Sequence, residues 1–167
     1  MPWLDIAVLA VLAVSGLLAL VRGFVREVLS IAAWVGAAAA GIFGYPHLAP
    51  HLEGLFGVVE KGPIANIAAG GAIALAALIV FSLLAGVIAD RVQESALGAV
   101  DRTLGLVFGL VRGAVLLCLA YIAAAWLQPP ERWPPWASEA RTRPALEAGG
   151  AWIVRQLPPG LLPAPPR

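Results

Sequence analysis

Thr103–Leu127 reads TLGLVFGLVRGAVLLCLAYIAAAWL, an apolar run interrupted by a single charge, Arg112. A bilayer core about 30 Å thick is crossed by roughly 20 apolar residues in a helix, and this run is long enough to do so. Three similar runs precede it, Leu4–Val21, Val28–Tyr45 and Pro63–Ala89. None shows the ten-residue alternation of a barrel strand, and lipid offers the backbone no hydrogen-bond partner, so all four are expected to be helices. The fold class predicted is all-α: a polytopic membrane protein with a four-helix transmembrane region over residues 1–128. A short amphipathic, proline-rich tail follows over residues 129–167.

Composition points the same way. Of 167 residues, 60% are hydrophobic and 13% charged, against roughly 45–50% apolar and 25% charged in a soluble domain; mean hydropathy is +0.87. The net charge of +1 comes from eleven scattered Lys and Arg, which excludes the concentrated basic patch that nucleic acid requires. Cys118 is the one cysteine, so no internal disulfide forms and a packed thiol is expected. The N-terminal run lacks a basic leader and is read as a mature span.

The connectors are read as Arg22–Glu27, Pro46–Gly62 and Asp90–Arg102. Ten of the fourteen prolines lie between Pro129 and Pro166. Within the tail, Leu146, Ile153 and Leu157 recur at near-helical spacing beside Trp152, which suits a helix lying on the membrane surface. Gly149 and Gly150 weaken that helix, and a proline-stiffened extension is the other reading. Arg22, Arg26, Arg91 and Arg102 sit in the first and third connectors and only Lys61 in the second, so the first and third are expected to face the cytoplasm and both termini the periplasm. Trp3, Tyr45 and Trp126 then fall at the opposite surface, as an aromatic belt.

Two stretches carry most of the chemistry. In Arg22-Gly23-Phe24-Val25-Arg26-Glu27 the two arginines stand one turn apart and suit lipid headgroups or topology. In Leu97–Gly113, LGAVDRTLGLVFGLVRG, the glycines Gly105, Gly109 and Gly113 repeat every four residues, with Asp101 on the same line and Arg102 beside it. Such a stripe lets another helix backbone come close. Arg112 returns to that face, and two readings of it stay open. Either it pairs at depth with Glu27, or with Asp101 of a second copy, or it marks the cytoplasmic start of a shorter span. Leu20-Val21-Arg22-Gly23 recurs as Leu110-Val111-Arg112-Gly113, which would relate two hairpins. Asp5 is read as a cap of its own helix. His47, His51 and Glu53 are declined as a metal set because Pro50 would interrupt the helix aligning them. No metal, cofactor or catalytic motif is expected, so the chain is read as no enzyme.

The Trp3-Leu4-Asp5 opening, the Arg22–Glu27 block followed by Leu29-Ser30, and the Asp101-Arg102…Gly105…Gly109…Arg112-Gly113 pattern resemble the colicin V production protein (CvpA) family. The resemblance covers about residues 3–157. It implies a bacterial inner-membrane protein linked to production or secretion of the toxin colicin V and to envelope homeostasis. A scaffold or accessory factor is the function expected, with membrane lipids and either a second copy or other inner-membrane proteins as partners. The alternatives are a small oligomeric channel or transporter using Arg112 and Asp101, and an anchor for a periplasmic tail.

Overall fold

The computed structural model of the chain describes residues 3–52 and 63–158. Four long helices follow in order: α1 Trp3–Arg22, α2 Phe24–Leu52, α3 Pro63–Gln93 and α4 Gly98–Leu127. A 3₁₀ turn at Pro130–Arg132, the four-residue α5 Pro135–Ser138 and α6 Arg143–Gln156 complete the tail. All four long helices are apolar and long enough to cross a membrane. At 1.5 Å per residue the 20 residues of α1 span about 30 Å, the thickness of a hydrocarbon core; α2, α3 and α4 run longer.

The helix boundaries depart from the sequence reading in three places. The first connector is one residue, Gly23, and Phe24–Glu27 is already helix. Residues Pro46 and Pro50 lie inside α2, which continues to Leu52 instead of ending at Tyr45. Each proline removes one donor from the helical ladder, a loss that apolar membrane helices accommodate more readily than soluble ones. The connector between α3 and α4 narrows to residues 94–97, where Ser95 Oγ donates to Val92 O at 2.6 Å and accepts from Leu97 N at 3.2 Å. Glu53 and Lys61 lie outside the described residues.

The chain sorts into two compact units, one of residues Arg22–Thr103 and one of residues up to Val21 with those from Leu104 onward. In the first, α2 and α3 pack antiparallel. Lipid tails are as apolar as leucine, so close van der Waals contact, not water exclusion, joins helices here, and small side chains favour it. Ala33, Ala37, Ala69, Ala85 and Ala89 are accordingly buried, while large residues such as Phe43, Leu83 and Val87 face outward. At the tightest crossing a Cβ on Gly41 would stand 2.7 Å from Gly70 O.

In the second unit α1 and the part of α4 from Leu104 onward pack through another small-residue seam. The tail folds back onto both. Leu146 of α6 joins Val8 and Cys118 in a buried cluster flanked by Leu12, Tyr121 and Ile153. The apolar stripe expected to meet lipid headgroups therefore packs, at Leu146 and Ile153, on protein.

Candidate functional site

At the α1–α2 junction, Gly23 has φ +82. That left-handed geometry costs an L side chain about 1–2 kcal/mol and glycine nothing comparable. A helix start usually satisfies its free N–H groups with the side chain of its capping residue. Glycine has none, and the cap arrives from elsewhere in the fold: Asp101 Oδ1 accepts from Val25 N at 2.8 Å. A Cβ at residue 23 would collide with the other oxygen, Asp101 Oδ2. On the opposite side of the junction, Gln93 Nε2 donates to Arg22 O, one of the carbonyls left open by the end of α1. The ends of two helices are thus sealed by side chains of α3 and α4.

Charges surround this junction. Glu27 is only 3% exposed, and its Oε1 lies 3.7 Å from Arg22 Nη1. Arg26 Nη2 meets Asp90 Oδ1 at 2.6 Å in a more exposed pair. Both basic residues of the Arg22–Glu27 block thereby engage acids of the protein. Arg102 is exposed.

The glycine stripe of α4 is buried at Gly105, Gly109 and Gly113. Its neighbour is α1 of the same chain. A Cβ on Gly109 would stand 2.5 Å from Ala19 Cβ and 2.6 Å from Ser15 O, and one on Gly113 would stand 3.1 Å from Ser15 Cβ. Ser15 Oγ donates to Gly109 O at 2.7 Å, a bond that closes the crossing. Arg112 is half-buried, and its Nη2 reaches Ser15 Oγ at 3.4 Å. The repeated Leu-Val-Arg-Gly does not mark equivalent positions: Gly23 breaks the chain between helices, whereas Gly113 is mid-helix.

Asp5 is 5% exposed. It stands in the first turn of α1, yet its carboxylate serves another helix. Oδ1 accepts from Thr142 N at 2.9 Å and Thr142 Oγ1 at 2.7 Å, and Oδ2 from Arg141 N at 3.2 Å. These are groups at the start of α6, so Asp5, besides standing at the N-terminal end of the α1 dipole, fastens the tail. Gly149 and Gly150 fit the same docking. A Cβ on Gly149 would stand 2.5 Å from Cys118 Sγ and one on Gly150 would stand 3.2 Å from Ile122 Cγ1. The pair that weakens α6 by propensity lets it lie close against α4. Because Asp5 bonds residues 141 and 142, the start of α1 and the start of α6 lie together.

Sequence reasoning missed Ser15, Thr142 and the role of Gln93. A serine amid the apolar residues of α1 was the available signal for the first; nothing local marks Thr142. His51 Nδ1 lies 3.1 Å from His47 O, one turn apart on α2.

Four membrane-length helices, two small-residue seams and polar groups that tie helix ends define a multi-pass helical membrane protein. The chain matches the family described as Colicin V production protein over residues 4–151. Colicin V production protein of Escherichia coli K12 is 36% identical over 117 residues, 70% of each chain. The Colicin V production protein homolog of Haemophilus influenzae Rd is 38% identical over 114 residues, 68% of each. The chain belongs to the colicin V production protein family. No solved structure matches it.

Proposed function

We propose that this protein is a non-enzymatic accessory or scaffold protein of the bacterial inner membrane that supports production and secretion of a colicin V-type toxin and envelope homeostasis, with both termini periplasmic. The relatives' name supplies the toxin connection. The scaffold reading rests on how the buried polar side chains are used. Asp5, Ser15 and Asp101 each bond backbone groups of helix ends or crossings, and Glu27 faces Arg22. Groups held this way stabilise a shape and are not gathered around a reacting centre.

The test is cross-linking at native expression in a toxin-producing strain, paired with complementation of a strain deleted for the homologue. A reproducible hetero-complex or oligomer that tracks toxin release is the expected result. Monomer alone, in a strain that the gene complements, overturns the scaffold. Ion or peptide flux in liposomes, lost on Arg112→Ala, would assign a channel instead. A dual reporter after Arg167 tests the orientation.

A further inference from the structure

In the unit formed by α1, the later part of α4 and the tail, an open pocket of about 520 Å³ lies between Leu4 of α1, Leu117, Tyr121 and Ala124 of α4, and Trp133 and Trp136 of the tail. The Trp133 indole and the Gln128 amide at its edge are engaged in bonds within the tail and the end of α4. Trp133 Nε1 donates to Gln128 O at 2.8 Å and Gln128 Nε2 to Arg132 O at 3.0 Å. Tyr121 and Trp133 meet edge to face with centroids 5.2 Å apart. What the pocket chiefly offers is contact with carbon.

Its position identifies the occupant. One wall belongs to α4, a membrane-length helix, so the pocket is continuous with the surface that lipid covers. Leu127 and Trp136 also line it and are 88% and 51% exposed; the mouth therefore opens onto apolar surface. Water entering there forfeits hydrogen bonds, whereas hydrocarbon loses nothing. The volume falls within the roughly 300–1,000 Å³ of small-molecule sites. A helix about 10 Å across would fill it with little more than one turn, while a flexible chain uses all of it. We propose that the pocket binds an acyl chain of a membrane phospholipid, wedged between α4 and the tail. The inference needs only the membrane setting and is independent of the scaffold reading.

The experiment reconstitutes the full chain in phosphatidylethanolamine and phosphatidylglycerol vesicles doped with a phospholipid bearing a diazirine on its acyl tail, and maps the photolabel by mass spectrometry. Labelling of residues 133–137 is expected, normalised to the exposed face of α3 at Leu83 and Val87. Ala124→Leu and, separately, Ala120→Leu place bulk in the pocket and should each reduce that ratio about fivefold or more, with helicity by circular dichroism unchanged. Ala123→Leu, on the exposed side of α4, should leave it unaltered. The proposal is overturned if residues 133–137 are unlabelled, or if both filling variants that retain helicity label as wild type does. It is equally overturned if the stretch cross-links to a second chain instead of to lipid.

Discussion

Asp101 Oδ2 occupies the space that a side chain on residue 23 would need, while its Oδ1 caps the helix that begins there. Each residue thus depends on the other: the acid fits because residue 23 is glycine, and glycine lacks a cap because it has no side chain. Gly23→Ala should destabilise the protein by about 2–3 kcal/mol, from left-handed strain and a displaced cap. Asp101→Ala alone should cost about 1–2 kcal/mol. The double variant should cost less than the sum, since the collision is gone. Unfolding in detergent for all four members of the cycle measures this; strict additivity would refute the dependence.

Gly109→Leu drives a branched side chain into Ser15 O and Ala19 Cβ. Overpacking costs about 1–3 kcal/mol, with the upper end expected because one obstacle is backbone. Insertion should persist, as leucine is more apolar than glycine and a better helix former. Val111→Ala, on the exposed side, is the control. Leu110 is unsuitable because its Cδ2 would lie 3.0 Å from a Cβ on Gly16. Since the stripe faces α1 of the same chain, melting temperature should fall with oligomeric state unchanged. A change of oligomeric state at constant melting temperature would contradict the α1 pairing.

Asp5→Ala removes the carboxylate that accepts from Arg141 N, Thr142 N and Thr142 Oγ1. Amide hydrogen exchange at Arg141 and Thr142 should accelerate about tenfold or more, with α2 and α3 amides unaffected. Asp5→Asn keeps one carbonyl oxygen and should fall between the two. Unchanged exchange in Asp5→Ala would show that α6 is held by other contacts.

Gly149→Ala pushes a methyl group into Cys118 Sγ. It should loosen α6 despite alanine's better helix propensity, and Cys118→Ala in the same chain should restore much of the loss. Exchange protection over residues 146–153 reports both effects. A tighter α6 in the single variant would mean that propensity outweighs packing there.

The four membrane-length helices were legible because long uncharged runs have few interpretations. The Arg22–Glu27 block looked like a connector because three charged residues and a glycine within six positions suggest a loop. Glu27 is instead buried beside Arg22, and Arg26 reaches Asp90 across 64 residues of sequence. Pro46 and Pro50 signalled a break through a rule drawn from water-exposed helices. The spacing of Gly105, Gly109 and Gly113 indicated a close approach without naming the neighbour, because small residues set how near a backbone comes and not whose it is. Asp5 and the two glycines of α6 gain their meaning from residues over a hundred positions away, or from the thiol opposite, and no local pattern records those.

The Ser15–Gly109 bond joins residues 94 positions apart. A ribosome adding about 5–20 residues per second needs on the order of 5–20 s to supply the second after the first. During that interval α1 resides in the bilayer or its insertion machinery with the Ser15 hydroxyl and the Gly16–Ala19 face awaiting their complement. Asp5 waits longer, for Thr142 at a separation of 137. Of the four long helices, the earliest made is therefore among the last to find its place, and whatever shelters it meanwhile takes part in the birth of this protein.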